Sequence, residues 1–346
     1  MNAISAFANG TFDPGAFNTF EYGMNAFEMQ YVYKSYKDAP LHPYVLKYWK
    51  ARDVKKKIYD LGNHGRVYSV LSPLQAEMGR SYPVIYCYHD SSDDIFCAET
   101  YGYSDLIAKE KLICVYPEYH LKELKGLEDD FRYIMHQLEE NGYAVDRERI
   151  YVTGFGYGAS ASAKLTVRLK DRLAGTGLVC GAHIFRGSEL AGILKESVKE
   201  SCPKQALICI GGKMDGKNIW PLEEEAYITT FNQWMLKFAQ AENYQQISLA
   251  RSQDIFHNSE DRVKREFGLD FDHTWMDYME GTYWYCGQYE NVSKMPVARF
   301  ISVEGLPHIH CKNVAVQVWE YLKRFRRDPA FGTLEYIQEK ETQQPF

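Results

Sequence analysis

The sequence predicts an α/β fold with a mostly parallel central sheet, helices on both faces and an aromatic-rich insertion before the last strand. Strand-like apolar runs alternate with helical segments from about residue 54, and this alternation is typical of parallel sheets covered on both faces. The alternation of strands and helices is interrupted between about residues 245 and 292, where aromatic residues are dense. A chain of 346 residues can also bury a substantial core without disulfide or metal support.

The predicted strands are short apolar runs separated by polar or glycine-containing segments. Continuous apolar runs are expected where a strand is buried on both faces. Two early strands are expected to pair with each other before the parallel strands begin. We predict strands over Lys55–Asp60, Arg66–Leu71, Pro83–Tyr88, Lys111–Tyr116, Arg149–Thr153, Gly177–Gly181, Ala206–Gly211 and Val297–Val303.

The clearest predicted helix begins at Leu127, where apolar residues recur at a period of 3.6 and define one face. Glu128 and the two aspartates that follow it lie in the first turn, where carboxylates favour the helix dipole. Asn141 and Gly142 form a typical helix end. Further helices are expected over about 158–173, 223–241 and 313–325.

Four regions are expected along the chain. Residues 1–45 are rich in Phe and Tyr without a clear period, and we predict an arm that packs on the domain or on a partner subunit. One α/β domain should span 46–330, with the segment at about 245–292 lying over the sheet as an insertion. Residues 331–346 are expected to form a C-terminal tail. The arm is therefore the candidate contact for a homo-oligomer.

Charge and composition exclude several classes of function. The formal net charge is -6, and the Lys/Arg clusters at 55–57 and 324–327 are short, so no nucleic-acid partner is expected. No apolar run approaches the ~20 residues that cross a bilayer, so no membrane partner is expected either. A secretory signal needs a basic start and an unbroken apolar stretch, which the first 45 residues lack, and a cytoplasmic location is the expectation. The cysteines show no zinc-finger spacing and are expected to be reduced thiols.

The most informative motif follows the predicted strand over 149–153, where Gly154-x-Gly156-x-Gly158 leads directly into a helix. One interpretation is the nucleophile elbow G-x-S-x-G, a tight strand–turn–helix that lifts one side chain above the sheet. Gly156 then occupies the nucleophile position and the serine is absent. The other interpretation is a dinucleotide fingerprint G-x-G-x-x-A, which ends at Ala159. That fingerprint also needs an acidic residue at the end of the next strand, about twenty residues on. No carboxylate lies between the end of that strand at Gly181 and Glu189, so we favour the elbow.

Two residues further along the chain fit the partners of an elbow nucleophile. Asp215 follows the strand over 206–211, and His308 follows the strand over 297–303. The order nucleophile, acid, histidine is that of elbow hydrolases, and both residues lie at carboxyl ends of strands, where the functional crevice of open α/β sheets forms. His310 makes an H-x-H pair with His308, but no third ligand accompanies it at useful spacing. We therefore predict neither a metal nor a cofactor.

These segments resemble the α/β-hydrolase esterases of the polyhydroxybutyrate-depolymerase and feruloyl-esterase type over about residues 66–326. The similar segments are YPVIYCYHDSSDD, VDRERIYVTGFGYGAS, ICIGGKMDG and VEGLPHIHCKNVAVQVWEYLKRF. The resemblance implies that the small-molecule substrate is an acyl or aromatic ester, carbohydrate-linked esters included. It implies that His308 activates the residue at position 156 and that Asp215 orients His308. It also implies an oxyanion hole formed by Tyr157 and by the loop of Asp90 and Ser91.

The chain departs from that pattern at two positions. Gly156 replaces the serine, and removing the serine of such a triad costs about a million-fold in rate. Asp90 replaces the glycine expected after His89, and a carboxylate opposes a developing oxyanion. We predict an ester hydrolase in an inactive or substrate-trapping form. The alternatives are a non-catalytic binding protein and a nucleophile-free, lyase-type enzyme with His308 as base. The residues expected to line the substrate pocket are His89, Trp275, Tyr283 and Trp284.

Overall fold

The structure, a computed structural model, describes residues 43–61, 66–75, 77–91, 93–119, 126–186, 204–242 and 244–338. Most of the predicted arm at 1–45 and the end of the predicted tail at 331–346 therefore lie outside the described residues. The helix Pro43–Lys50 (α1) leads into the sheet, and the short strand Leu334–Tyr336 pairs with Phe325–Arg327 near the end of the chain.

A single ten-stranded sheet forms the centre of the described part of the chain. Its strands, in spatial order, are β1, β2, β4, β3, β5, β6, β7, β10, β9 and β8. In chain order they are β1 (Val54–Asp60), β2 (Val67–Pro73), β3 (Tyr82–Tyr88), β4 (Ile113–Pro117), β5 (Val145–Phe155), β6 (Gly175–Val179), β7 (Leu207–Gly212), β8 (His273–Met279), β9 (Thr282–Glu290) and β10 (Pro296–Val303).

The middle of the sheet is parallel and both of its flanks are antiparallel. Strands β4, β3, β5, β6, β7 and β10 run in the same direction. The flanks are β2 beside β4, with β1 outside it, and β9 beside β10, with β8 outside it. Because six neighbouring strands are parallel, their carboxyl ends meet along one edge of the sheet, and loops from several strands can converge there.

Helices cover both faces of the sheet and bury its apolar residues. The buried apolar side chains form three clusters, one of which contains the face of the Leu127 helix that the sequence predicts. The further helices are α2 (Ile95–Glu99), α3 (Tyr103–Glu110), α4 (Leu127–Glu140), α5 (Tyr157–Arg168), α6 (Glu225–Trp234, continued by a π-helical turn at Met235–Ala239), α7 (Leu249–Asn258), α8 (Arg262–Phe267) and α9 (Lys312–Leu322).

The predicted α/β architecture is confirmed, and each predicted strand is present with ends that move by a few residues. The segment at about 245–292 was expected to lie over the sheet as an insertion, but part of it belongs to the sheet itself. It contains α7 and α8 followed by β8 and β9, and the two strands extend the sheet sideways as an antiparallel ribbon. Backbone pairing with β10 accounts for this placement, because a ribbon beside an edge strand satisfies that strand's free N–H and C=O groups.

A buried ion pair lies under the early strands of the sheet. The Lys56 Nζ atom is 2.5 Å from Glu99 Oε2, and both side chains are fully inaccessible. The Ser69 hydroxyl donates to the other oxygen of Glu99 at 2.6 Å. Burial lowers the pKa of Lys56, while Glu99 opposes that shift. Each charge thus depends on the other for its stability in this apolar environment.

In the part of the chain that the structure describes, no helix has the length and apolar character to cross a bilayer.

Candidate active site

The turn between β5 and α5 is built from three glycines that the packing requires. Gly156 has φ of 56°, a left-handed conformation that side-chain-bearing residues rarely adopt. A Cβ atom on Gly154 would lie 2.0 Å from the carbonyl oxygen of Gly158, and one on Gly158 would lie 2.3 Å from that of Tyr88. The strand–turn–helix with its tight glycine contacts matches the predicted elbow, and position 156 is at its corner.

His308 and Asp215 come together at this corner from two different loops. The loop after β10 carries His308, and the loop after β7 carries Asp215. The Nδ1 atom of His308 lies 3.0 Å from Asp215 Oδ2, and the backbone N–H of Lys217 donates to Asp215 Oδ1 at 2.8 Å. The predicted acid and histidine are therefore hydrogen-bonded to each other, and the Asp215 carboxylate is held from two sides.

Asp90 occupies the space above Gly156. Its Oδ1 atom accepts the backbone N–H of Tyr157 at 2.7 Å, and its Oδ2 atom lies 3.6 Å from His308 Nε2. A Cβ atom on Gly156 would lie 2.3 Å from Asp90 Oδ1 and 3.0 Å from His308 Nε2. A side chain at position 156 would thus point at the imidazole, but the Asp90 carboxylate already fills that space.

The site is an array of carboxylate, imidazole and carboxylate with strongly shifted proton affinities. Hydrogen bonding to Asp215, and then to Asp90, raises the pKa of His308 to about 11. Burial disfavours the charged form of Asp90, but His308 and the Tyr157 N–H outweigh it and lower the pKa of Asp90 to about 2. The pKa of Asp215 is lowered by His308 against the same effect of burial. At neutral pH the array therefore holds an imidazolium between two carboxylates.

Solved structures similar to this chain include esterases and serine hydrolases. An acetyl xylan esterase from Aspergillus awamori is 10% identical, with a TM-score of 0.51 over 78% of this chain and 99% of that chain. A feruloyl esterase module from Clostridium thermocellum, complexed with sinapinate, is 14% identical, with a TM-score of 0.45 over 78% of this chain and 86% of that chain. No protein-family model and no curated protein matches the sequence.

The chain has the α/β-hydrolase fold. The likeness to the acetyl xylan esterase extends over almost the whole of that protein. In this hydrolase fold the site residues come from the elbow and from the loops after β3, β7 and β10. The predicted residues at 90, 156, 157, 215 and 308 therefore meet at one place, although the chain separates the first from the last by more than 200 residues.

The second histidine of the H-x-H pair points away from the site. His310 is buried, its ring stacks on Tyr101 at 4.6 Å, and its Nε2 atom lies 3.3 Å from the Tyr103 hydroxyl. Burial lowers the pKa of His310 to about 3, so that this ring is neutral. His89 is also buried, with Nδ1 2.7 Å from the carbonyl oxygen of Asp90. His89 therefore contacts the backbone of the Asp90 loop, and His310 contacts the core beneath it.

The remaining predicted residues lie in three different surroundings: an exposed loop, the core, and the outer face of the ribbon of β8 and β9. Ser91 is exposed beside Asp90. Trp284 packs in the core, whereas Trp275 and Tyr283 are partly exposed on the ribbon of β8 and β9. Trp275 contacts the guanidinium of Arg299 at 5.1 Å from its ring centroid. The described contacts of these aromatic side chains are with the ribbon and its neighbours.

Three residues beside the site have no signal in the sequence. Lys217 Nζ lies 3.5 Å from His308 Nε2 and 4.8 Å from the centroid of the Tyr157 ring. The ring of His183 packs edge-on against Tyr157 at 5.7 Å. Cys180 is buried, and its sulfur lies close enough to Asp215 and His308 for the three to form a possible set of metal ligands. The spacing of these residues along the chain follows no known motif, which is why sequence reasoning missed them.

Proposed function

We propose that this chain carries the site of a carboxylic-ester hydrolase in a form that lacks the attacking serine and does not turn esters over. His308, Asp215 and the N–H of Tyr157 supply the base, its orienting carboxylate and one oxyanion donor. The small-molecule ligand of the complete site would be an acyl or aromatic ester.

The position of the Asp90 carboxylate carries the proposal. Its Oδ1 atom accepts the Tyr157 N–H, which is the donor that would face the oxyanion of an ester intermediate. A carboxylate in that place resembles the acid product of ester hydrolysis. An ester carbonyl cannot reach the same N–H while Asp90 is there. This favours an inactive form over a substrate-trapping one, because trapping requires the carbonyl to enter.

The nucleophile-free alternative needs a neutral His308 that can accept a proton. With a pKa of about 11, the imidazole between Asp90 and Asp215 is already protonated at neutral pH. General-base catalysis requires a pKa near the working pH. This observation disfavours lyase-type chemistry with His308 as base in the wild-type chain. The same requirement leaves an esterase site without a base until Asp90, one of the two carboxylates that raise the pKa of His308, is removed. The second candidate is a binding protein that catalyses no reaction. The Asp90 carboxylate in the space of the nucleophile is compatible with such a role, because binding needs no attacking group.

The test is a set of three variants assayed with p-nitrophenyl acetate. Gly156→Ser alone should remain inactive, because the new side chain meets Asp90 Oδ1. Gly156→Ser combined with Asp90→Gly should hydrolyse the ester with an initial burst of one equivalent. Adding His308→Ala to that pair should abolish the activity. A folded double variant without a burst, judged by circular dichroism and thermal unfolding, contradicts the proposal.

A further inference from the structure

A cavity of about 240 Å³ lies beside the amino ends of the parallel strands, at the edge of the sheet opposite to the candidate active site. Phe131 of α4, Ile150 of β5 and Arg172, in the loop before β6, are among the residues that line it. Ile150 precedes Gly156 by six residues. At the rise of ~3.3 Å per strand residue, these two residues are about 20 Å apart. The cavity is therefore separate from the elbow and its partners.

This cavity concentrates positive charge on a chain whose formal net charge is -6. The part of its lining that the structure describes contains two carboxylates, those of Glu139 and Asp171, and four arginines, at positions 132, 147, 172 and 327. With His136 counted as neutral, this part of the lining has a surplus of two positive charges. A guanidinium group is not deprotonated in proteins, so the surplus does not depend on pH in the physiological range.

The carboxylates of the lining leave two of its guanidinium groups accessible to a ligand. Glu139 accepts two hydrogen bonds from Arg147, at 2.7 and 2.8 Å. Asp171 lies 3.8 Å from the Nε atom of Arg172, which is beyond hydrogen-bonding distance. Arg132 makes no hydrogen bond or ion pair with any residue that the structure describes. Arg132 and Arg172 are both exposed, so their N–H donors can turn toward an anion in the cavity.

Apolar side chains and a fixed positive charge form the rest of the lining. Phe131 and Ile150 are buried, and Met135 is half-buried. Arg327 is buried as well, and its guanidinium donates to three backbone carbonyl oxygens, which hold it in one orientation. A ligand that matches this lining has an apolar body and an anionic group, because each part then meets its complement.

We propose that this cavity is a binding site for a small aromatic phosphate monoester. Such a phosphate group carries a charge of about −1.5 to −2 at pH 7, which matches the surplus of two positive charges. The guanidinium groups of Arg132 and Arg172 bind its oxygens, since paired N–H donors fit a phosphate closely. The aromatic body packs on Phe131, Met135 and Ile150. This binding site is additional to the proposed esterase site and involves no reaction.

Charge and size distinguish this ligand class from other anions. A carboxylate has one negative charge and leaves one positive charge of the lining without a counter-ion. Inorganic phosphate has the required charge, but it leaves the apolar side chains of the cavity uncovered. A volume of about 240 Å³ is below the ~300–1,000 Å³ of typical ligand pockets, so the cavity fits one or two rings and not a dinucleotide. We therefore choose 1-naphthyl phosphate as the probe.

Isothermal titration calorimetry of the full chain with 1-naphthyl phosphate tests the proposal. We expect saturable binding of one equivalent. 1-Naphthol lacks the charge, 1-naphthoate has half of it, and inorganic phosphate lacks the rings, so each should bind more weakly than the probe. Arg132→Gln and Arg172→Gln should each raise the Kd of the probe by about ten-fold or more, because each removes charge-assisted hydrogen bonds. Both side chains are exposed, so neither variant should disturb the fold.

Two control variants locate the bound probe. Arg326→Gln removes a neighbouring surface charge that pairs with Glu335 and does not line the cavity, so it should leave the Kd nearly unchanged. Lys217→Gln removes a cation at the candidate active site and should also leave it unchanged. Absence of saturable binding, equal affinity for 1-naphthol or 1-naphthoate, a Kd unaffected by Arg132→Gln and Arg172→Gln, or weakening by Lys217→Gln overturns this proposal. None of these results bears on the esterase test, which measures turnover at position 156.

Discussion

The Asp90 carboxylate accepts the backbone N–H of Tyr157 at 2.7 Å, directly above a glycine that has no side chain to compete for the space. The two departures from the esterase pattern are thus spatially coupled. A Cβ atom at position 156 would lie 2.3 Å from Asp90 Oδ1, far inside van der Waals contact. Gly156 and Asp90 must therefore change together if an attacking hydroxyl is to be placed at the elbow.

A substitution at Gly156 should lower the free energy of unfolding more when Asp90 is present than when Asp90 is replaced by glycine. Gly156→Ala should destabilise the fold by about 2–4 kcal/mol, because backbone strain adds to the collision with the carboxylate. In an Asp90→Gly background the same substitution should cost about 1–3 kcal/mol, which is the backbone strain alone. Urea unfolding of the four proteins in this cycle measures the coupling free energy. Strictly additive effects would show that the carboxylate does not occupy the space above Gly156.

His308 should be an imidazolium at neutral and mildly alkaline pH. The hydrogen bonds to Asp215 and Asp90 raise the pKa of His308 to about 11. The imidazole NMR signals of His308 should therefore still be those of the protonated ring at pH 8. Asp90→Asn should lower the pKa of His308, because the variant removes one of the two negative charges. Asp93→Asn should shift it much less, since that carboxylate bonds to Tyr101. A His308 titration midpoint near pH 6.5 in the wild-type protein would contradict the arrangement of an imidazolium between two carboxylates.

The ion pairs of the site should stabilise the fold within a defined pH window. The pKa of His308 is raised in the folded state, so its contribution is complete below about pH 6.5 and is lost as the pH rises toward 11. The pKa of Asp90 is lowered to about 2, so its contribution is complete above about pH 4 and is lost in stronger acid. Wild type should exceed His308→Gln in stability by about 1.5–3 kcal/mol at pH 5, the usual contribution of hydrogen bonds to charged groups.

The stability difference between wild type and His308→Gln should shrink as the pH rises from 6.5 to 10. Urea unfolding of both proteins across this pH range measures it. His136→Gln is a matched control, because His136 is exposed and pairs with Glu140 on a helix surface. Its effect should stay within about 0.5 kcal/mol. A difference between wild type and His308→Gln that grows with pH would have the wrong sign for a stabilised imidazolium.

The buried pair of Lys56 and Glu99 should respond differently to single and double substitutions. Glu99→Gln leaves the Lys56 charge buried without its counter-ion and should cost about 3–5 kcal/mol. Lys56→Met together with Glu99→Leu should recover most of that loss, because no charge then needs burial. Chemical unfolding of the three proteins gives the comparison. Equal losses in the single and double variants would show that packing, and not charge, dominates at this place.

Much of the fold could be read from local patterns. The period of the helix at Leu127, the apolar strands and the glycine-rich turn at 154–158 each carry their signal within a few residues. The ribbon of β8 and β9 was missed as sheet, although most of β9 is buried; β8 lies at the sheet edge and none of its residues is fully buried. Strands at a sheet edge are fixed by backbone pairing with a neighbour, and a single sequence does not reveal that neighbour.

The order of Gly156, Asp215 and His308 along the chain was enough to predict that these residues lie close together, because the fold brings the carboxyl ends of successive parallel strands to one edge. Sequence alone left Asp90 as an unfavourable charge near an oxyanion hole. Only the folded chain decided that this carboxylate takes the space of the missing side chain and shares His308 with Asp215. Such a relation depends on distances of a few ångströms between distant loops, and these are set by packing and not by local sequence.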